Sequence, residues 1–509
     1  MLSCRRFAAR YIGILLIRML PILQSRSMLE AGFLAFTGIA LNIPTARHHK
    51  VQIEQLREAI KNGHPALDLI RRLVTQLHPR FLSSLYTNLW MPVWLNDPVR
   101  TQFEEREGFT PPSLVVISPL KECNLQCEGC YASAETKASE RLDFDTMDRI
   151  ITELKSYGTS LIVISGGEPT HPSVWPMLTD ICRKHSDIAF MMYTNGTLID
   201  DRKVHDLMEL GNLSPAISIE GWREETDNRR GAGVYDKVMS AMDRLREAGV
   251  LFGFSLTYTT KNFGSATSSE FIDHLISKGC LYGWYFMYVP VGKDPDLDLL
   301  VSPSQRNCIR RFTWDMLRNK GLFIADFWNS GPMSLGCLAG GRYLHINNRG
   351  DIEPCVFFKF TSHNIRDCRL IDALRSPLFA QIREGQTRQH NPLAPCQFMD
   401  HPHDGMRAFR TPGVRASEEG GETMFSPETF SLLERWSEDY AMYADLAWAS
   451  GDYSWFQHVY QALRWEQPGA CPCSDCSEGP DKTNSQNWCE AHQYKAGGKR
   501  ESAHTYRRS

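Results

Sequence analysis

The stretch SLIVISGGEPTHPSVWPMLTDICRKHSDIAFMMYTNGT, Ser160 to Thr197, decides the fold. It reads as a short apolar run at Ser160–Ser165, a glycine turn, an amphipathic segment over 173–185 and a second apolar run at Ala189–Tyr193, closed by Asn195-Gly196. Short apolar runs without polar alternation are strands buried on both faces, and a helix between two of them makes a parallel crossover. The same unit recurs on either side. Strands are predicted at Leu114–Ser118, Pro215–Glu220, Leu251–Thr257 and Gly283–Val289, with helices over 143–157, 200–210, 235–248 and 268–279. Six such units predict an α/β fold, a partial (β/α)6 TIM-like barrel whose functional groups gather where the C-terminal ends of the strands converge.

Around this core (111–320) the chain divides by composition. Residues 1–110 lack strand alternation and read as a helical N-terminal region that ends at Pro111-Pro112. A helix at 303–319 leads into a compact region, 330–405, with a turn signal at Asn347-Asn348-Arg349-Gly350. A helical extension follows over 406–476, tryptophan-rich at 426–465, and the polar composition of 477–509 predicts a disordered tail. The 509 residues are 42% hydrophobic and 23% charged, a globular balance, and a net charge of -3 gives no indication of nucleic-acid binding.

The 15 cysteines are too sparse for a disulfide scaffold, but they cluster. Cys123-Asn-Leu-Gln-Cys127-Glu-Gly-Cys130 follows the first strand and puts three thiols on one loop at the barrel mouth. Three thiolates there can hold three irons of a [4Fe–4S] cube and leave the fourth open. The alternative, a structural zinc, normally takes four protein ligands and often uses C-x2-C pairs. Reduced thiols of this kind predict a cytoplasmic active site.

These residues resemble the radical S-adenosylmethionine (SAM) superfamily, whose signature is this C-x3-C-x2-C spacing with an aromatic beside the last cysteine, here Tyr131. Further segments agree in order. Gly166-Gly167-Glu168-Pro169, ending the second strand, resembles the segment that holds the SAM amino group; glycines permit close backbone approach and a carboxylate suits an ammonium. Asn195, in Thr194-Asn195-Gly196-Thr197, and Ser218, in Ser218-Ile-Glu220-Gly221, fall where relatives contact the cofactor, although relatives usually carry aspartate at the place of Glu220. By the same resemblance Arg230 binds the SAM carboxylate, and Tyr288-Val-Pro290-Val-Gly292 packs on adenine.

The resemblance implies a one-electron donor such as flavodoxin or ferredoxin, reductive cleavage of SAM to methionine and a 5′-deoxyadenosyl radical, and hydrogen abstraction from a peptide, lipid or small molecule. The rival reading is a noncatalytic iron–sulfur relay or binding protein that keeps the fold. Cys337, Gly350 and Cys355 reproduce the opening of the SPASM or twitch domains that follow many such barrels, with Cys396 as third ligand of an auxiliary [4Fe–4S] cluster. Cys368 is a candidate fourth ligand, but its position after Arg366-Asp367 favours an incidental surface or half-buried thiol. Cys471, Cys473, Cys476 and Cys489 form a possible metal knuckle, whereas His401-Pro-His403 reads as a turn.

At the N-terminus Arg5, Arg6 and Arg10 precede an apolar run, Tyr11–Leu23, that Arg18 interrupts; a second run spans Leu29–Leu41. Both are shorter than the roughly 20 residues of a spanning helix. The pattern predicts peripheral membrane contact through residues 1–45, against the alternative of a helix packed on the protein itself.

Overall fold

The fold is that of a computed structural model, which describes residues 26–41, 50, 53–54, 57–58, 60–92, 97–137, 140–292 and 294–451. Its centre is a sheet of parallel strands, β1 (Leu114–Ile117), β2 (Leu161–Ile164), β3 (Ala189–Thr194), β4 (Leu213–Ser218), β5 (Gly253–Tyr258), β6 (Gly283–Met287) and β7 (Ile324–Asp326). They pair in sequence order, so the sheet curves as a partial barrel. Registers such as Ile117↔Ile164 and Ile164↔Met192 bring the strand ends to one level. Helices Phe144–Ser156, Trp175–Lys184, Asp201–Leu210, Val234–Glu247 and Ser269–Ser277 join successive strands, each within two residues of its predicted bounds.

Local chemistry fixes those bounds. The carboxylates of Asp143 and Asp200 accept from Thr146 N and Lys203 N, each three residues on, and Ser268 caps Phe271 N in the same way. Ser302 and Gln305 form a reciprocal capping box that starts the helix Pro303–Lys320. Gly211, at φ 68°, turns the chain from the helix Asp201–Leu210 into β4, a conformation costly for any residue with a Cβ.

Two features lie beyond the six predicted units. The seventh strand, β7, pairs with β6 after a turn at Gly321. At the turn signal around Gly350 the chain forms a hairpin of β8 (Tyr343–Ile346) and β9 (Asp351–Glu353), and β8 adds in parallel to the free edge of β1, with Leu114↔Tyr343 and Val116↔His345. The cysteine-bearing hairpin is therefore continuous with the barrel sheet. A buried chain secures the join: Ser118 Oγ lies 2.7 Å from His345 Nε2, and His345 Nδ1 lies 2.5 Å from Glu353 Oε2.

A long helix, Pro427–Ala449, packs on Pro303–Lys320. At that junction the wholly buried Arg306 pairs with Asp400 and places its guanidinium 3.6 Å from the ring centre of Tyr440. The apolar run Leu29–Leu41 forms a 15-residue helix, Arg26–Ala40, while Tyr11–Leu23 and the knuckle cysteines 471–489 lie outside the described residues. Among the described residues no helix is long and apolar enough to cross a membrane.

Candidate active site

The loop after β1 carries Cys123, Cys127 and Cys130, and it is tied down at both ends. Cys123 N donates to Glu135 O at 2.8 Å and Glu135 N to Lys121 O at 3.0 Å; farther along, Glu128 N donates to Arg229 O at 3.0 Å. All three cysteines are free thiols. Burial, and to a lesser degree Glu168 and the other two sulfurs, pushes the Cys123 thiol up to about 12, and burial raises Cys127 against the pull of Arg230. Burial thus favours the protonated form of Cys123 and Cys127, and ligation by iron is what would favour thiolates there. Among the described residues no three His, Cys, Asp or Glu side chains converge on a point that could hold one metal ion. A cubane gives each cysteine its own iron, so this donor set suits a cluster.

The glycine pair after β2 approaches the cysteine loop itself. Gly167 N donates to Leu120 O at 2.9 Å and Glu168 N to Glu122 O at 2.8 Å. A Cβ on Gly166 would lie 2.3 Å from Leu120 O, and one on Gly167 would lie 2.0 Å from Glu122 O. The backbone approach anticipated from the sequence is thus real, but its immediate object is protein.

Glu168 is almost fully buried and serves as a local hub. Its Oε1 accepts from Thr170 N at 2.9 Å, Thr170 Oγ1 at 2.5 Å and Thr194 Oγ1 at 2.6 Å, and its Oε2 accepts from Asn195 N at 2.8 Å. Oε2 therefore keeps capacity for a further donor from the cavity. Asn195 in turn directs its amide toward Cys123 Sγ, at 3.8 Å, and to Asn124 Oδ1, at 2.9 Å. One carboxylate so links the ends of β2 and β3 to the cysteine loop.

At the end of β4, Ser218 Oγ lies 3.2 Å from Ser255 Oγ of β5. Glu220, fully buried, pairs with Arg229 at 2.8 Å and accepts from Arg230 Nε at 2.8 Å, with a second contact to Arg230 Nη2. Arg230 Nη1 points to Cys127 Sγ at 4.0 Å. Burial opposes the Arg230 charge, but Glu220 outweighs it and holds the group above the usual arginine range. Sequence reasoning noted Glu220 only as a departure from aspartate. Its signal was present, an acid at a strand end followed by adjacent arginines.

One cavity, about 1320 Å3 counted out to solvent, gathers these groups: Cys123, Cys127, Cys130, Tyr131, Gly166, Gly167, Glu168, Asn195, Ser218 and Arg230 all line it, with Tyr288 and Val289. Tyr131 hydrogen-bonds to Ser165 Oγ at 2.6 Å and meets Phe357, two residues beyond Cys355, with ring centres 5.4 Å apart. Phe357, Trp284 and Phe286 also line the cavity and were not singled out by sequence.

The second set of cysteines comes together apart from this loop. Burial raises Cys355 most, with Cys396 and Cys337 adding to it, and burial, Asp400 and Cys337 push Cys396 up to about 12. Cys337 is raised by burial as well. Cys368 belongs elsewhere: its thiol donates to Asn364 O at 3.2 Å, and after burial its neighbouring influences are Asp372, Asp367, Glu153 and Arg149. Cys182 and Cys280 are core thiols. His401 and His403 bond separately, to Ala394 O and to Glu434.

Comparison with known proteins agrees with this geometry. Residues 117–263 match the radical SAM superfamily. An AdoMet-dependent heme synthase of Methanosarcina barkeri is 27% identical over 50% of this chain and 80% of its own. The mycofactocin maturase MftC of Mycobacterium ulcerans is 26% identical over 56% of this chain and 80% of its own. Among solved structures, Streptococcus suis SuiB bound to SAM superposes with a TM-score of 0.52 at 19% identity, covering 72% of this chain and 88% of that one, a likeness of fold. The matched segment begins at the last residue of β1 and runs past the cysteine loop and the ends of β2 to β5, so residues 117–263 form a radical SAM domain, that of an enzyme that uses a [4Fe–4S] cluster and SAM.

Proposed function

We propose that Cys123, Cys127 and Cys130 hold the [4Fe–4S] cluster at the barrel mouth, and that Gly166, Gly167, Glu168, Asn195, Ser218 and Arg230, with Tyr131 beside the last cysteine, form the SAM cradle. The observation that carries this reading is the single cavity that all ten residues line. When bound and reduced by one electron, the cluster supplies reductive cleavage of SAM and so a carbon radical able to take hydrogen from a substrate C–H bond.

The chain's own contribution is binding and exclusion. Glu168 Oε2 presents an acceptor for the SAM ammonium. Arg230, neutralised on one side by Glu220, offers its remaining N–H groups to a carboxylate; because Glu220 already fixes the guanidinium, little side-chain entropy is lost on binding. The buried walls keep water and adventitious hydrogen donors from the reacting centre.

Cys337, Cys355 and Cys396 are proposed as ligands of an auxiliary [4Fe–4S] cluster in a SPASM- or twitch-like region, supported by their mutual influence and by the separation of Cys368 from them. A flavodoxin or ferredoxin is the proposed electron donor, and residues 1–45 the proposed peripheral membrane contact. Liposome flotation with and without those residues tests the latter, and equal flotation refutes it. The relatives are named for different products, so the family likeness settles cofactor chemistry and leaves peptide and lipid as the proposed substrates.

The deciding experiment is anaerobic reconstitution followed by dithionite and SAM, comparing wild type with Cys123→Ala/Cys127→Ala/Cys130→Ala. 5′-Deoxyadenosine from wild type alone, with residual iron in the triple variant, is expected. Equal product from both proteins would refute the ligand assignment, and complete loss of iron in the variant would refute the auxiliary cluster.

A further inference from the structure

The inward face of β6 is unusual for a barrel interior. Gly283, Tyr285 and Met287 are buried, whereas Trp284 and Phe286, which line the cavity, remain half-buried. Barrel interiors are ordinarily filled by layers of side chains. Here large apolar rings face empty space instead.

Those rings form a continuous wall. Trp284 and Phe286 lie nearly parallel, 9° apart with centres at 6.1 Å, and Tyr193 of β3 meets both edge-on, at 6.0 and 5.3 Å. Phe286 contacts Phe327 at 5.7 Å and Phe357 at 6.4 Å; Phe327 reaches Tyr343 of β8 at 5.7 Å. The wall thus runs from mid-barrel to the residue pair that follows Cys355.

The charged side chains that line the same cavity are Glu168, Arg229 and Arg230; Glu168 is held by Thr170, Thr194 and Asn195, and both arginines are ion-paired with Glu220. An anionic substrate group placed against the wall would lose its hydration, and the two arginines of the cavity already carry the Glu220 carboxylate. An uncharged hydrocarbon group loses nothing polar there and gains dispersion contact and stacking.

We propose that this aromatic wall is the substrate subsite, and that the group delivered to the radical is an uncharged aromatic or aliphatic hydrocarbon. The inference rests on the radical SAM reading above and deepens it. A peptide side chain and a lipid acyl chain share this chemistry; an anionic donor does not.

The test uses the full-length reconstituted protein and two fluorescent probes of similar size, neutral N-phenyl-1-naphthylamine and anionic 1-anilinonaphthalene-8-sulfonate. The neutral probe is expected to bind at least tenfold more tightly. Phe286→Asp is expected to weaken it tenfold or more and Phe286→Leu less than threefold, with circular dichroism reporting the fold of each. Should Phe286→Asp not fold, the comparison of the two probes on wild type still decides. Displacement of the neutral probe by N-acetyl-phenylalanine amide points to a peptide side chain and displacement by 1-decanol to an acyl chain. Displacement by neither, equal binding of the two probes, or an unaltered affinity in a folded Phe286→Asp protein overturns the proposal. 5′-Deoxyadenosine formation is followed on the same preparations: its absence with intact probe discrimination refutes the underlying reading rather than the chemistry of the wall.

Discussion

Replacing Gly167 by alanine tests whether the cradle and the cysteine loop are one rigid body. The new Cβ would stand 2.0 Å from Glu122 O, 2.5 Å from Glu122 C and 2.7 Å from Lys121 C. These are backbone atoms, so no side chain can swing away. The loop must retreat by about 1 Å to reach the closest approach that real Cβ atoms tolerate, and that movement pulls on the bonds Gly167 N to Leu120 O and Glu168 N to Glu122 O. Overpacking and weakened hydrogen bonds together predict a loss of about 2–4 kcal/mol in stability. The functional loss should be larger in proportion, because Glu168 travels with the loop and an error of about 1 Å at a reacting centre costs on the order of 100-fold in rate. Thermal unfolding and initial rates of 5′-deoxyadenosine formation, normalised to bound iron, measure the two effects. Gly264→Ala, where a Cβ meets nothing within 4 Å, is the control and should match wild type. A Gly167→Ala protein that melts and cleaves SAM as wild type does would refute the claim that this contact sets the site geometry.

Glu220→Ala leaves Arg229 and Arg230 buried without their carboxylate, and should cost on the order of 3–5 kcal/mol in urea unfolding together with a raised KM for SAM. Asp400→Asn removes the charge opposite the wholly buried Arg306 and should lower the melting temperature clearly, measured by calorimetry, while the isolated loop change Gly413→Ala, in open space but at φ 82°, should cost far less. His185 is buried, which lowers its folded pKa below the ordinary 6.5, with Asp148 opposing the shift in part. The unfolded chain then binds the proton more readily, so His185 contributes stability that is present above about pH 6.5 and is lost as pH falls through the depressed folded value. Melting curves between pH 7.5 and pH 5, read against His185→Gln, should show a steeper acid loss in wild type.

The barrel was legible because its strands are buried on both faces and its helices carry caps at Asp143, Asp200 and Ser268, so hydrophobic run and cap signals agree at each boundary. β7 escaped because three residues, Ile324–Asp326, are too few to carry a period. The hairpin of β8 and β9 was readable from its turn, but its place beside β1 was not, since that register is set by partners 227 residues apart such as Ser118 and His345. The site divides along the same line. The motif residues carry a signal in local spacing, whereas Glu220 as the anchor of two arginines, the contact of Gly167 with the cysteine loop, and the aromatic wall are relations between strands.

That division bears on how the chemistry and the substrate are encoded. The proposed cofactor residues lie at and just beyond the ends of β1 to β4, where a few glycines and carboxylates would meet one fixed ligand, and this leaves short motifs in the chain. The wall is built from Tyr193 of β3, Trp284 and Phe286 of β6, Tyr343 of β8, and Phe327 and Phe357 in the turns after β7 and Cys355, each of which looks like ordinary core in its own segment. Only the inversion on β6, with Trp284 and Phe286 less buried than Tyr285 and Met287, separates a binding surface from a filled interior. With the wall as the proposed substrate subsite, substitution at those positions would change substrate choice without disturbing any motif.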